Sequence, residues 1–260
     1  MDGTLIAHTE LSEKFRKSLG ESPYSNDLDD YNATDGQVVA LSAIRTCYSP
    51  NKPSEIVAKE GGKYFGKAAT DGEGGTDADR LIRMIMRSGH LSTVEHLTFT
   101  FAIEGVSRAL LAQLTRHRVG FSFSVQSQRY VKLGSGDKSG GMVYVLPEKV
   151  TEEIEANWHL DDYYPDTNAL EIFDEAMQQA QRYYDLLREA GVPAEDARAV
   201  LPNAAACNLV LTGNLRALLD FYSKRRKGRG GQHEITELAE ALRREVTAVE
   251  PWVDQFFEEA

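Results

Sequence analysis

Residues 97–104 read LTFTFAIE. Large apolar side chains at every second position alternate with Thr, Ala and Glu, and this period of two is typical of a β-strand that buries one face. Soon after it, Ser107 is a residue type that caps helices, and the helix it would cap carries Leu110, Leu111 and Leu114 on its apolar side. The stretch therefore predicts a half-buried strand followed by an amphipathic helix.

Helical patterns account for most of the remaining chain. A helix is predicted from Asp77 to a stop at Gly89. The other predicted elements are a short strand at 142–147, surface loops at 61–76 (mobile) and 134–141, and helices at 167–190, 214–226 (capped by Asn214) and 233–257. Because these elements do not alternate as βαβ units, the sequence predicts an α+β fold with an antiparallel sheet flanked by helices.

The N-terminal residues are polar and lack periodicity. Residues 1–36 are therefore predicted to form an irregular extension. Residues 37–260 show neither an internal repeat nor an interdomain linker, so they are predicted to form a single domain. The chain of 260 residues is long enough to bury a substantial core.

Composition and charge disfavour several classes of protein. A formal net charge of -11 repels polyanions overall, although a small phosphate ester can bind where arginines converge. No apolar run reaches about 18 residues and the N-terminus lacks a secretion signal, so the sequence predicts a cytoplasmic protein without a membrane span. Cys47 and Cys207 are accordingly expected to be reduced thiols.

The densest group of polar residues is QLTRHRVGFSFSVQSQRY at 113–130. Because it follows the leucine-bearing helix, Arg116, Arg118 and Arg129 are expected near the core, where an arginine is costly without a partner. The planar guanidinium suits phosphate, carboxylate or pyrimidine carbonyl groups. The segment indicates an anion site; a solvated basic patch beside a strand is the alternative.

A second basic segment, NLRALLDFYSKRRKGRGGQHEI, spans residues 214–235. Leu218, Tyr222 and Arg225 are spaced to share one helix face. An amphipathic surface helix with a basic C-terminal end is the alternative interpretation. Arg198, in ARAVLP, is a lone arginine beside an apolar run and indicates little by itself.

Two other patterns suggest chemistry that the sequence does not support. His90 and His96 in SGHLSTVEH invite a metal, but no third ligand has suitable spacing, so no metal site is predicted. Ser127 with His117 invites a hydrolase, but no third orienting group and no G-x-S-x-G elbow is visible. Ser127 is therefore expected to bind a ligand rather than to attack one.

Taken in chain order, these segments resemble the flavin-dependent thymidylate synthases. The signature of that family is Arg-His-Arg, seven residues, then Ser, one residue, Arg and Tyr. Here RHR at 116–118 and SQRY at 127–130 are separated by eight residues. SGHLSTVEH and the alternating strand precede the signature, and ARAVLP and NLRALLDFYSKRR follow it, in the order of the family. The resemblance covers about residues 37–257.

The resemblance implies a homotetramer in which FAD lies between subunits and each active site draws on more than one chain. Ligand contacts carry over position by position. The implied FAD contacts are Ser92, Arg116, His117, Arg118, Asn214, Leu215 and Arg216. The implied dUMP contacts are Gln113, Arg116, Ser127, Gln128, Arg129, Arg198 and Arg225, and His90 matches a histidine near the flavin and the folate.

The implied reaction is the reductive methylation of dUMP to dTMP. NADPH reduces FAD, methylenetetrahydrofolate supplies the one-carbon unit, and reduced flavin supplies hydride. Neither cysteine has a setting that suggests a nucleophile, and this route needs none. Instead Arg225 is the implied catalytic residue, which pairs with the uracil edge and favours ionisation at N3.

The sequence departs from the family at four points, one of which is a loop after Arg225 that is one residue longer. The extra residue in the signature falls near 119–120. The Glu or Gln that usually stands two residues before the signature serine is Val125 here, so Gln126 or Ser124 is expected to take its place through a bulge. Asp220 stands where an Asn is common near the flavin.

Two rival classes stay open. RHR, QSQRY and KRRKGRGG combine basic groups with aromatics, as nucleic-acid-binding modules do. The net charge of -11 disfavours strong polyanion binding, and a yellow purified protein would favour a flavin. A flavoprotein that acts on another substrate is the second rival, and only dependence on dUMP separates it from a thymidylate synthase.

Overall fold

A computed structural model describes residues 1–21, 31–155 and 167–259. Within these ranges the strands form one antiparallel sheet in the order β1-β2-β4-β3. They are β1 (Asp2–His8), β2 (Thr98–Ser107), β3 (Phe121–Val125) and β4 (Ala206–Asn214). The prediction of an α+β fold with an antiparallel sheet is confirmed.

Helices cover one face of this sheet and pack on one another. They are α1 (Glu13–Gly20), α2 (Asp35–Tyr48), α3 (Ile56–Phe65), α4 (Asp77–Arg87), α5 (Arg108–Leu114), α6 (Ala169–Glu189), α7 (Ala194–Ala197), α8 (Leu215–Arg225), α9 (His233–Val249) and α10 (Asp254–Glu259). Helix α9 packs against β1 and β2, α8 packs against α9, and α2 packs against α4. None of the described helices combines the length and the apolar character needed to cross a bilayer.

The predicted strand is β2, and its alternation sets the orientation of the sheet. Phe99, Phe101 and Ile103 are buried under the helices, whereas Thr98 and Glu104 are exposed on the other face or at its edge. The hydroxyl of Ser107 accepts a hydrogen bond from the backbone N–H of the third residue of α5, which confirms the predicted cap. Strand β2 therefore delivers the chain directly into α5 and the signature that follows it.

Predicted helix ends agree with the structure at two further places. Helix α4 ends at Arg87, and Gly89 has a φ of 78°, a conformation that favours glycine. Asn214 ends β4 and also caps α8, because its Oδ1 accepts from the backbone N–H of Ala217 at 2.9 Å. The N-terminus of α8 is thereby fixed to the end of a central strand.

The prediction of an irregular N-terminus is wrong for residues 2–8 and 13–20. The first segment is β1, paired with β2, and the second is α1. Because β1 is an edge strand with one neighbour, it tolerates polar residues and shows little periodicity; its Leu5 N–H is bonded to Glu245 at 2.8 Å. The division of the chain at residue 36 stays a prediction, and residues 22–30 lie outside the described ranges.

Three other predicted segments need correction. Residues 61–65 of the predicted mobile loop belong to α3, and the rest of that loop is anchored by the buried Arg83, which donates to Asp71 at 2.9 Å. The predicted strand at 142–147 is reduced to an isolated bridge at Tyr144. The predicted C-terminal helix is interrupted after α9, because Pro251 cannot donate the hydrogen bond that continues a helix.

Candidate active site

The first half of the signature lies against the start of α8. Helix α5 ends at Leu114, and RHR at 116–118 forms the turn that leads into β3. Strand β3 pairs with β4 so that Phe121 lies opposite Gly213, one residue before the α8 cap. The RHR turn and the N-terminus of α8 are therefore neighbours, although nearly a hundred residues separate them in the chain.

Gly120 packs closely against the start of α8. Its φ is +74°, and a Cβ on it would lie 2.8 Å from Ala217 Cβ and 2.9 Å from Asn214 Nδ2. An L side chain is disfavoured there by both conformation and space. Val119 beside it is 91% exposed. The extra residue of the signature thus lies in a left-handed turn at Gly120 that packs against α8.

An open cleft of about 910 Å³ lies beside this turn. It is lined by Val119 and Gly120, by the first turns of α8 and by apolar residues of α4, α10 and the 3₁₀ turn Leu91–Val94. Three ion pairs mark its charged part: Arg216 with Glu95 at 2.5 Å, Arg87 with Glu259 at 3.0 Å, and Asp220 with Lys224 at 2.7 Å. The cleft therefore combines apolar walls with paired charges, one of which is Arg216 beside the N-terminus of α8.

The implied FAD contacts gather around this cleft. Asn214 and Arg216 line it, Leu215 is buried between them, and Ser92 lies in the 3₁₀ turn that forms one wall. His90 immediately precedes that turn, and its Nδ1 lies 3.5 Å from the hydroxyl of Tyr48. The RHR turn adjoins the cleft through its neighbours Val119 and Gly120.

His117 and Arg225 are in direct contact. Arg225 Nε donates a hydrogen bond to His117 Nε2 at 3.1 Å, and the histidine ring packs edge-on against Phe221 with the centroids 5.0 Å apart. Because Nε2 accepts, the imidazole in this contact is neutral and carries its proton on Nδ1. Burial, followed by the nearby charge of Arg225, lowers the pKa of His117 below its usual value. Leu218 and Tyr222, on the same face of α8, are buried.

Gln113 reaches a partner that the sequence does not indicate. Its Nε2 donates to Gln232 Oε1 at 2.6 Å, which joins the end of α5 to the residue before α9. This bond uses one N–H of the Gln113 amide, so its second N–H and its carbonyl oxygen are left to meet a ligand. Gln232 therefore sets the direction of the Gln113 amide.

Another group of implied dUMP contacts meets at α7. Arg129 forms an ion pair with Glu195 at 2.5 Å, and Arg198 Nε donates to the backbone carbonyl of the same residue at 3.0 Å. Ser127 Oγ accepts from the backbone N–H of Arg129 at 3.3 Å. Gln128 Nε2 is buried and finds no hydrogen-bond partner among the described residues. These side chains form a basic surface beside the amide of Gln128, whose nitrogen is available to donate to a ligand.

The two halves of the signature lie at opposite ends of β3. The strand runs from Phe121, opposite Gly213, to Val125, opposite Leu209. At roughly 3.3 Å per residue, the strand alone separates RHR from SQRY by about 13 Å. A single chain therefore presents two groups of candidate residues rather than one compact site.

The expectation that the signature arginines lie near the core is wrong. Arg116, Arg118 and Arg129 are all exposed, because α5 ends at Leu114 and the chain then leaves the packed leucines. Arg129 is paired with Glu195, whereas Arg116 and Arg118 have no carboxylate partner within the described ranges. Exposed cations without a partner suit an external anion.

Strand β3 clarifies the departure at Val125. Val125 packs against the core together with Phe121 and Phe123. Ser124 and Gln126 lie on the exposed side of the strand, and the Gln126 N–H continues the ladder to Asn208 at 2.8 Å. Strand β3 pairs with β4 in a regular register, so the expected bulge does not lie within it. A ligand role for Ser124 or Gln126 stays a prediction.

The sequence indicated no role for three residues that contact predicted site residues, and it gave only a local signal for a fourth. Glu195, Gln232 and Glu95 each hold a predicted ligand contact, and Gly120 seats the RHR turn. Only Gly120 had a signal, since a glycine at an inserted position is typical of a left-handed turn. Within the described ranges no three His, Cys, Asp or Glu side chains are grouped so that they could hold a metal ion.

Most of the chain is similar to known proteins. The family model described as thymidylate synthase complementing protein matches residues 28–252. A flavin-dependent thymidylate synthase of Clostridium tetani is 35% identical over 240 residues, which cover 86% of this chain and 82% of the relative. The enzyme of the same name from Geobacter sulfurreducens is 39% identical over 178 residues, 68% of each chain.

Solved structures share the fold at lower identity. The UMP/dUMP methylase PolB from Streptomyces cacaoi, bound with 5-Br dUMP, matches with a TM-score of 0.65 at 22% identity, over 99% of this chain and 94% of that chain. Thymidylate synthase X from Helicobacter pylori, with FAD and dUMP, matches with a TM-score of 0.60 at 22% identity, over 100% and 98%. At this identity the likeness concerns the fold. The family model and the relatives above 30% identity place the chain in its class: it belongs to the flavin-dependent thymidylate synthases and is an enzyme of that family.

Proposed function

We propose that this chain converts dUMP to dTMP by reductive methylation, with FAD as resident cofactor and with methylenetetrahydrofolate and NADPH as co-substrates. The observation that carries the proposal is the cleft lined by Val119 and Gly120, which directly follow RHR, and by the first turns of α8. The relatives named above are flavin-dependent thymidylate synthases. The Helicobacter pylori protein that shares the fold was crystallised with FAD and dUMP.

The residues around the cleft fit FAD. Arg116 and Arg118 are exposed cations without a carboxylate partner in the described ranges, and the N-terminus of α8 favours negative charge. The apolar walls of the cleft suit a flat aromatic ring. The residues that would hold FAD are Ser92, Arg116, His117, Arg118, Asn214, Leu215 and Arg216. His90 lies at the edge of the same wall and would face the flavin and the folate.

The residues proposed for dUMP come from both ends of β3. At one end the exposed Arg129 and Arg198 meet at Glu195, and they would hold the phosphate. At the other end Arg225 and Gln113 present a guanidinium and a side-chain amide, groups that match the edge of a pyrimidine. The full proposed set is Gln113, Arg116, Ser127, Gln128, Arg129, Arg198 and Arg225.

The separation of these groups supports active sites shared between chains. About 13 Å of β3 lies between RHR and SQRY, and both segments expose cations at the surface. We therefore propose a homotetramer in which one chain supplies RHR and Arg225 to a site and another supplies SQRY and Arg198. Folate binds in the same shared site.

Arg225 is the proposed catalytic residue. A fixed cation at the uracil edge stabilises the negative charge that develops on ionisation at N3. When bound, FAD supplies the hydride for the reduction. Cys207 is buried, which raises the pKa of its thiol, and Cys47 lies on α2 away from the cleft. Both are free thiols, which favours the cytoplasmic location included in this proposal.

We expect dUMP to change the absorption spectrum of the FAD-loaded protein. The two ligands share Arg116 in the proposed site, so dUMP must alter the surroundings of the isoalloxazine ring. Titration with dUMP, with dCMP as the control, measures the change near the flavin bands. A saturable change with dUMP alone supports the proposal. Equal responses to the two nucleotides, or none to either, would point to a flavoprotein that acts on another substrate.

A further inference from the structure

The contact between His117 and Arg225 indicates more than a flavin contact. We infer that His117, as a neutral hydrogen-bond acceptor, positions the guanidinium of Arg225 for the uracil ring. The inference rests on the proposed function, because Arg225 needs this orientation only when dUMP is the substrate. His117 thereby acts through Arg225 and is a positioning residue.

The hydrogen bond fixes which part of the guanidinium can meet a ligand. His117 Nε2 accepts the hydrogen bond that the Nε–H of Arg225 donates, with 3.1 Å between the two nitrogens. The two terminal nitrogens, with two N–H groups each, stay at the free end of the fork. Two parallel donors at this end match two adjacent acceptors, which uracil offers at N3 and a neighbouring carbonyl once N3 has lost its proton. The orientation therefore favours the ionised uracil over the neutral one.

His117 is itself held in place from two sides. Its backbone N–H donates to the Leu114 carbonyl at 3.0 Å, which ties it to the end of α5. Its ring meets the buried Phe221 edge-on, which ties it to the face of α8 that carries Arg225. A long arginine side chain loses rotamer entropy when it is fixed, and this arrangement restricts it before the substrate arrives.

The charged groups around the imidazole keep it in the accepting form. Arg225, Lys224 and Asp220 face it from α8, and Arg116 faces it from its own turn. Three cations against one carboxylate disfavour a protonated ring. Burial and the nearby cations lower the pKa of His117, so the ring is neutral at neutral pH. It gains a proton only when the pH falls below the usual pKa of a histidine side chain. Protonation would remove the acceptor and bring two cations into contact.

Two substitutions at His117 test this role. His117→Gln can place a side-chain oxygen where Nε2 lies, whereas His117→Leu removes the acceptor and keeps the apolar contact with Phe221. At matched FAD occupancy and neutral pH, the dUMP Kd is expected to rise about tenfold in His117→Leu and less than about threefold in His117→Gln. Calorimetry on the FAD-loaded protein measures both values.

The pH profile distinguishes positioning from a purely structural role. In the wild type the dUMP affinity should fall at acid pH as His117 gains a proton. In His117→Gln this acid limb should be smaller, because an amide does not titrate and only the phosphate of dUMP, with a second pKa of about 6, still gains a proton. An unchanged acid limb in His117→Gln, or wild-type dUMP affinity in His117→Leu, would overturn the inference.

NMR of the histidine ring separates this inference from the proposed function. In the wild-type holoprotein His117 should carry its proton on Nδ1, and Arg225→Ala should raise its pKa. A His117 protonated on Nε2 contradicts the inference even if dTMP is formed. If His117 carries its proton on Nδ1 but the protein binds no dUMP, the proposed function is wrong, whereas the hydrogen bond between His117 and Arg225 is supported.

Discussion

An Arg225→Ala variant is expected to keep its FAD and to lose about two to three orders of magnitude in dTMP formation. Arg225 lies on the same face of α8 as the buried Leu218 and Tyr222, and His117 directs its free end. Without the guanidinium, no fixed cation opposes the charge that develops on the uracil. Single-turnover dTMP formation and the FAD content of the purified variant measure the two parts of this prediction.

Lys224→Ala is the matched control for Arg225→Ala. Lys224 is the preceding cation on the same turn of α8, but it is exposed and paired with Asp220 at 2.7 Å. Its removal changes the net charge equally and should lower dTMP formation less than about twofold. Wild-type turnover in Arg225→Ala, or an equal loss in both variants, would show that Arg225 is not the catalytic cation.

A Gly120→Ala variant is expected to weaken FAD binding about tenfold and to lower the free energy of unfolding by about 3 kcal/mol. The left-handed backbone costs an L residue roughly 1–2 kcal/mol. The rest comes from the new Cβ, which would lie 2.8 Å from Ala217 Cβ and push the RHR turn off α8. Chemical denaturation of the apoprotein and fluorescence titration with FAD measure the two effects.

Gly140→Ala separates backbone strain from steric displacement. Gly140 also has a positive φ, +68°, but a Cβ there meets nothing within 4 Å. This variant should lose only about 1–2 kcal/mol of stability and keep wild-type FAD affinity. If both variants bind FAD like the wild type, the packing of the RHR turn against α8 does not contribute to FAD binding.

Elements with local signals could be predicted from the sequence. Strand β2 alternates over its length, and the caps Ser107 and Asn214 follow from side chains that bond within three residues. Helix ends at Gly89 and Pro251 have equally local causes, although Pro251 was included in a longer predicted helix. These parts are decided by neighbouring residues, which the sequence displays directly.

Strands whose pairing is long-range could not be predicted. Strand β1 lies at an edge, so its polar residues hide its periodicity. Strand β3 lies inside the signature, where serines alternate with aromatic residues and the arginines dominate the pattern. Strand β4 buries Cys207, Leu209 and Leu211 at every second position, a local signal that the sequence analysis did not use. The pairing of each depends on partners that are many residues away in the chain.

The candidate site shows the same division. Its predicted ligand contacts came from motifs, and in the structure they lie in or near the cleft or close to α7. The residues that hold these side chains could not be found from motifs, because Glu195 and Gln232 are ordinary polar residues whose role depends on tertiary placement. The exposure of Arg116 and Arg118 was likewise misjudged, since the end of α5 lies two residues before them.

The proposed FAD-dependent methylation of dUMP at the cleft beside α8 is tested by dTMP formation from dUMP, methylenetetrahydrofolate and NADPH, with FAD either present or stripped from the protein. We expect dTMP only when both FAD and NADPH are supplied. A folded, flavin-loaded protein that forms no dTMP, or one that forms it equally well without FAD, would show that the proposed function is wrong.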